Sequence, residues 1–272
     1  MSAIGFALVY NTTRIFHIAA AALYVVAAYT LFFTCNSLGF TLFTGIIAAI
    51  TVSALLSVGS EWIVYRPLYN KKSSLNVAMI ASIGLMTVLV NLVAMFFGNE
   101  TRLINNSIQK TFNFGDIIIT TPQMLQLVVG VVVIIGFMFF LRFTRFGLQT
   151  RALSCNAILF RTMGNSINAT RLKVFALSGL FFALAGSLTV YDFGMNPHIG
   201  MNVLINAIVA MIIGGVGRFN ACVLGGITLG ILQSLVVYQF ASNWQNAITF
   251  LVLILFLFFR PQGFIGYKRR LV

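Results

Sequence analysis

Runs of roughly twenty apolar residues, separated by short polar segments, recur along the whole of this 272-residue sequence. An α-helix rises about 1.5 Å per residue, so a run of about twenty residues can cross the roughly 30 Å of bilayer hydrocarbon. A membrane-spanning strand needs only about ten residues of alternating polarity, half the length of these runs. With 60% hydrophobic and 8% charged residues, the composition also lies outside that of soluble domains. We therefore predict an all-α polytopic membrane helix bundle.

The apolar runs predict about seven or eight transmembrane segments within a single membrane domain over residues 1–272. Residues 201–213 would reach only about 20 Å as a helix, so whether this short or broken segment crosses the membrane or re-enters stays open. Residues 1–10 form half a span, and Pro67 is expected to end any helix that follows the second span. The full spans are predicted at residues 15–33, 38–58, 75–97, 122–141, 174–190, 219–238 and 243–259.

Small residues predict where two helices pack closely. Gly217, Ala221 and Gly225 recur every four residues, and Gly226 and Gly230 lie on an adjoining face of the same helix. Small side chains let helix backbones approach in a membrane. We expect another helix to pack tightly against these residues.

The distribution of basic residues predicts the orientation. Residues 66–72, residues 142–173 and the C-terminal tail hold three, six and four of the seventeen basic residues, whereas the polar segment 98–121 has balanced charge. Basic residues are enriched in cytoplasmic loops of membrane proteins. These three regions, including the C-terminus, are therefore predicted to be cytosolic and residues 98–121 external, and the net charge of +13 does not indicate nucleic-acid binding.

The sequence carries no P-loop, nucleophile elbow or zinc-protease motif, and its few cysteines and histidines have no metal-ligand spacing. The four acidic residues are scattered, so no buried carboxylate is evident as a proton relay or cation site. We predict no catalytic residue, no metal site and no enzymatic activity. Uncharged side chains could line a pathway for a solute, or each could make a helix–helix hydrogen bond: Asn91, Ser178, Asn206 and Gln233.

The stretch from Arg142 to Lys173 is the longest polar interruption, with six basic residues and no acidic one. A loop that only fixes orientation would not need about thirty residues, nor apolar side chains at helical spacing. We therefore interpret it as a cytosolic coupling loop through which a partner drives the protein. A transporter or channel that acts without partners is the alternative function.

Short motifs occur in an order and spacing typical of one family: residues 3–10 (AIGFALVY), Glu61 with 65–68 (YRPL), 81–84 (ASIG), 145–152 (RFGLQTRA), 163–168 (MGNSIN), 175–188, 196–200 (NPHIG), 213–217 (IGGVG), 224–230 (LGGITLG) and 260–266 (RPQGFIG). With these motifs the chain resembles the permease subunits of bacterial ABC importers for branched-chain amino acids, a family that includes urea and short-amide importers. Members usually begin with a longer apolar segment, so the resemblance implies that part of the first helix is missing.

The resemblance implies an inner-membrane transporter built from two permeases, homologous or identical, two cytosolic ATPases and a periplasmic solute-binding protein. ATP and Mg²⁺ would be used by the ATPases, and no cofactor is expected on this chain. The resemblance leaves the substrate open among leucine-like amino acids, urea and amides. It also implies a helix between Arg151 and Gly164 that docks on an ATPase, with an apolar face formed by Leu153, Ile158, Leu159 and Met163 and flanked by Arg151 and Arg161.

Overall fold

The computed structural model describes residues 1–103, 111–114, 117–260 and 262–264. Most of these residues are helical, which confirms the predicted all-α membrane bundle. The helices are α1 (Ser2–Thr13), α2 (Ala20–Phe32), α3 (Leu42–Ser60), α4 (Arg66–Asn70), α5 (Leu75–Phe97), α6 (Thr121–Phe143), α7 (Arg145–Cys155), α8 (Ala157–Thr162), α9 (Ile167–Phe193), α10 (Ile199–Gly214), α11 (Phe219–Gln239) and α12 (Gln245–Phe259).

Within the described residues, seven helical stretches are long and apolar enough to cross a membrane, and the shorter apolar helix α10 adds an eighth segment. This agrees with the predicted count. The segment 98–121 also contains two short strands that the sequence did not predict. Strand β1 (Thr111–Phe114) pairs antiparallel with β2 (Ile117–Thr120). Most of the predicted cytosolic tail lies outside the described residues.

The second span is longer than predicted. Residues 42–70 form one continuous helical stretch, in which a π-helical turn at Glu61–Tyr65 joins α3 to α4. Pro67 lies within this stretch, in the first turn of α4 directly after the π-helical turn. The expectation that Pro67 ends the helix is therefore wrong.

The interior is built around α2 and α9, which pack against each other and against α3, while α10 packs against α1 and α2. Glycines on α9 allow close contact: a Cβ atom on Gly179 would lie 2.8 Å from the Ser53 carbonyl oxygen, and one on Gly186 would clash with the Tyr24 carbonyl. The Ser53 hydroxyl donates to the Gly179 carbonyl oxygen at 3.0 Å, which ties α3 to α9. Buried hydroxyls satisfied in this way can hold two helices together inside a membrane.

The structure places only part of the predicted packing face of α11 against another helix of the chain. A side chain on Gly225 would clash with the Ala210 carbonyl, and Ala221 lies against Gly214, so α10 packs closely on that side. Gly217 instead precedes the helix with φ of 102°, a conformation that favours glycine. Cβ atoms on Gly226 and Gly230 would meet nothing within 4 Å, so these two do not pack against any described helix of the chain.

Candidate functional site

The middle of the stretch from Arg142 to Lys173, predicted to be a coupling loop, folds into two short helices at one end of the bundle. Asn156 begins α8, and its side-chain oxygen accepts from the backbone N–H groups of Ile158 at 2.9 Å and Leu159 at 3.2 Å. Gly164 follows α8 with φ of 79°, which favours glycine. Arg161 at the end of α8 and Tyr69 at the end of α4 border the same cavities. We call this end of the bundle, where α4, α7 and α8 lie together, the basic end.

The loop presents an apolar patch to its surroundings. Ile158, Leu159 and Met163 are 77%, 60% and 79% exposed. Phe160, on the opposite side of α8, is buried and anchors the helix to the bundle. We call the three exposed side chains the α8 patch. Such a contiguous apolar surface outside the transmembrane spans is typical of a protein contact.

The remaining residues predicted for the coupling helix differ in position. Leu153 is only 4% exposed, so it packs inward and does not belong to the surface where the sequence analysis placed it. Leu153 lies on the same face of α7 as the buried residues Gly147 and Thr150, which are spaced three residues apart along the helix. Arg151 on α7 and Arg161 on α8 are both exposed, and Gly164 acts at the turn described above.

Two of the four predicted pathway residues come together between α10, α11 and α12. The Gln233 side-chain amide donates to Asn206 Oδ1 at 3.2 Å and to Thr249 Oγ1 at 2.7 Å, and its carbonyl oxygen accepts from Gln245 at 3.3 Å. Asn206 and Gln233 also line a cavity of about 330 Å³ that is bordered by Gly226 and Gly230. The glycines that do not pack against a helix therefore border a space within the spans whose mainly apolar lining includes the amides of Asn206 and Gln233.

The other two predicted pathway residues lie elsewhere. Ser178 is fully buried, and its hydroxyl donates to the Gly5 carbonyl oxygen at 2.9 Å. Asn91 is exposed on α5 and donates to the Thr87 carbonyl of its own helix at 2.8 Å. Neither contributes to the cavity beside Gln233.

A buried ion pair is the main feature that the sequence analysis missed. Arg171 Nε lies 2.6 Å from Glu61 Oε1 and Arg171 Nη2 lies 3.0 Å from Glu61 Oε2, and both side chains are almost fully buried. The guanidinium also stacks on Tyr69, 4.5 Å from the ring centre. Arg171 belongs to the basic loop sequence, but it is not a solvated charge. Glu61, which the sequence analysis treated only as a scattered acidic residue, is thus a buried carboxylate held by an arginine.

A polar cluster lies close to this pair. His17 Nδ1 and the Tyr65 hydroxyl share a hydrogen bond of 2.8 Å, and that hydroxyl donates to Ser82 Oγ at 2.7 Å. Ser82 also accepts from the Ala19 backbone N–H at 2.9 Å, so it ties α5 to the break between α1 and α2. Glu61 and Tyr65 lie in the same π-helical turn. The motif formed by Glu61 and residues 65–68 was the sequence feature that could have indicated this cluster.

In the described residues, no group of three or more His, Cys, Asp or Glu side chains could hold a metal ion.

Known sequences resemble this chain along nearly its whole length. The model of a family described as branched-chain amino acid transport system / permease component matches residues 1–257. The high-affinity branched-chain amino acid transport system permease protein BraD of Pseudomonas aeruginosa is 26% identical over 97% of this chain and 90% of its own length. LivH of Escherichia coli K12 gives the same values. The probable branched-chain amino acid transport permease LivH of Methanocaldococcus jannaschii is 25% identical, over 97% of this chain and 87% of its own length. No solved structure matches.

Proposed function

The chain belongs to the branched-chain amino acid transport permease family, so it is a permease subunit of an ABC importer, and we propose that it forms half of a pathway for branched-chain amino acids or related small polar solutes such as urea and amides. In this proposal a second permease completes the pathway, two cytosolic ATPases hydrolyse ATP, and a periplasmic binding protein delivers the solute. The protein lies in the bacterial inner membrane with its C-terminus in the cytosol.

The observation that carries the proposal is the α8 patch. Its three exposed apolar side chains project from the basic end on a capped helix whose opposite side is anchored by buried Phe160. A rigid helix with an apolar face fits a groove on a partner protein. Arg161 is exposed on the same helix as the patch and Arg151 is exposed on α7, so a docking groove with acidic rims would complement this surface.

The polar contacts around Gln233 support a role in the pathway. Asn206, Gln233, Gln245 and Thr249 are uncharged and hydrogen-bonded to one another between three membrane helices. Of these residues, Asn206 and Gln233 reach the cavity, and their uncharged amides can hydrogen-bond a small polar solute with no proton or cation that travels with it. This fits a transporter in which ATP hydrolysis elsewhere supplies the energy.

Replacing Leu159 with Asp tests the proposal. Full burial of a leucine contributes about 2 kcal/mol, so its loss should weaken ATPase association roughly 30-fold. The measurement is recovery of the ATPase with the full complex in mild detergent, together with ATP-dependent uptake. Leu159→Met retains an apolar side chain and should associate like the wild type.

A second control is Leu38→Asp, because Leu38 is 52% exposed and lies in the turn between α2 and α3. It should leave ATPase association unchanged. Equal recovery of the ATPase with Leu159→Asp and with the wild type would contradict docking at the α8 patch. Purification without any ATPase, together with uptake that persists after ATP depletion, would favour a transporter or channel that acts without partners.

A further inference from the structure

Polar contacts recur every four residues where α3 packs antiparallel against α9. The Ser53 hydroxyl donates to the Gly179 carbonyl oxygen at 3.0 Å, and the Ser57 hydroxyl donates to the Phe175 carbonyl oxygen at 2.6 Å. Both serines are fully buried. Four residues advance an α-helix by about one turn, so these bonds follow one another along the contact between the two helices. They fix the register of α3 against α9.

The ion pair is the next contact of this series. Glu61 lies four residues after Ser57 on α3, and Arg171 lies four residues before Phe175 on α9. Two bonds join the carboxylate to the guanidinium, whereas each serine contributes one uncharged hydroxyl. Hydrogen bonds between charged groups are roughly twice as strong as neutral ones, and the two parallel bonds also fix the relative orientation of the groups. The strongest contact of the series therefore lies at the basic end.

Arg171 also connects the series to the segments beside α8. Its guanidinium stacks on Tyr69 of α4, 4.5 Å from the ring centre. Arg171 lies in the second turn of α9, which follows α8 after a short turn at residues 163–166. One side chain thus joins the end of α3, the helix α4 and the start of α9, and α9 is the element that a displacement of α8 would move first.

Stability alone does not account for a charged pair at this place. Two charges lose their hydration when they are buried, so a well-packed apolar pair of similar volume is often as stable or more stable. An apolar pair lacks the directional bonds that hold two helices at one angle and register. This difference indicates a role of the pair in positioning the helices.

We propose that Glu61 and Arg171 are positioning residues for ATP-driven transport. They hold α3, α4 and α9 together as one unit, so that a displacement of α8 by an ATPase reaches the ends of α3 and α9 on the opposite side of the membrane. Rigid helices joined by hydrogen bonds can couple distant sites in this way. The inference rests on the proposed function, in which an ATPase docks at the α8 patch, and it does not depend on which solute is transported.

The test is amide hydrogen exchange, measured by mass spectrometry on the purified full complex without nucleotide and with ATP and vanadate. Exchange reports local opening of the backbone, and no solute has to be supplied. Three segments are followed: residues 153–166 around α8, residues 36–42 at the start of α3 and residues 191–198 at the end of α9. In the wild type, nucleotide should change the exchange of all three.

The decisive variant is Glu61→Leu/Arg171→Leu, which keeps apolar bulk in place of the two charges. It should still copurify with the ATPase and respond at residues 153–166, while its response at the two distant segments should be several-fold smaller than in the wild type. Ser82→Ala is the control, because it removes a buried hydrogen bond to Tyr65 that lies outside the series. This control should respond at all three segments.

An unchanged response of the distant segments in the double variant, or an equal loss in Ser82→Ala, would overturn the proposal. So would a wild-type response confined to residues 153–166. Absence of the ATPase from the wild-type complex, or no response at residues 153–166, would instead contradict the proposed function on which the inference rests.

A second variant covers the case in which the double-leucine variant fails to fold. Arg171→Lys keeps the positive charge beside Glu61 but cannot form the two parallel bonds of a guanidinium. Its response to nucleotide should be reduced at residues 36–42 and 191–198 and should stay at the wild-type level at residues 153–166. A full response at all three segments would also overturn the proposal.

Discussion

The interior and the outer spans of this permease differ in how they meet their surroundings. In the apolar stretches of α2 with its π-helical extension and of α9, 61% of the residues are buried inside the protein. In α6 and in the last span, only 11% of the residues are buried. The interior spans place glycines and hydroxyls against neighbouring backbones, whereas the outer spans expose large apolar side chains. Substitutions in the interior should therefore act through folding, and substitutions outside mainly through lipid or partner subunits.

Two adjacent glycines of α11 provide the sharpest test of this difference. Gly225→Leu should prevent α10 and α11 from packing, because even one carbon atom there clashes with the Ala210 carbonyl. We expect loss of nearly all monodisperse protein in mild detergent. Gly226→Leu is the matched control and should be produced at close to the wild-type yield, since its Cβ meets nothing within 4 Å. A low yield for both variants would contradict the assignment of Gly226 to an open face.

The buried ion pair should give the next largest effect. Arg171→Ala leaves Glu61 buried without its partner, which should destabilise the protein by about 3–5 kcal/mol. Thermal unfolding of the purified protein measures the loss. Arg161→Ala, at an exposed position, should change stability by less than about 0.5 kcal/mol. Replacing both Glu61 and Arg171 with leucine should recover part of the stability, and no recovery would indicate a further role for the charges.

A smaller effect is expected from Tyr65→Phe. It removes the hydroxyl that joins His17 to Ser82 and should cost about 1–3 kcal/mol, because their buried polar atoms lose a partner. Tyr69→Phe is the matched change on the exposed side of the same segment, where the aromatic ring stacks on Arg171 and survives the substitution. Thermal unfolding should place this control close to the wild type. Equal effects of the two variants would argue against an energetic role of the His17–Tyr65–Ser82 cluster.

Several elements were predictable from the sequence because they depend on local pattern. Apolar runs of membrane length located the spans, including the short helix Ile199–Gly214. The structure places α10 close to Ala221 and Gly225, two of the positions that the four-residue spacing singled out. The same spacing failed at Gly226 and Gly230, because spacing places residues on a helix face but does not reveal what lies opposite that face.

The candidate sites were predictable to a smaller extent. The exposed positions of Ile158, Leu159 and Met163 agree with the apolar face inferred from the family resemblance, although docking there stays a prediction. Leu153 was misplaced, because apolar character alone does not distinguish an inward from an outward side chain. The proximity of Asn206 to Gln233 was not predictable, since 27 residues and a helix reversal separate them.

The sequence by itself determined the membrane bundle, the approximate spans and the family, because hydrophobic length and ordered motifs are properties of the chain. The tertiary structure alone decided which polar residues meet. Glu61 and Arg171 are 110 residues apart and read in the sequence as a span-end acid and a loop cation. Packing of α3 against α9 removes both from solvent, and the energetic requirement that a buried charge be paired makes them partners.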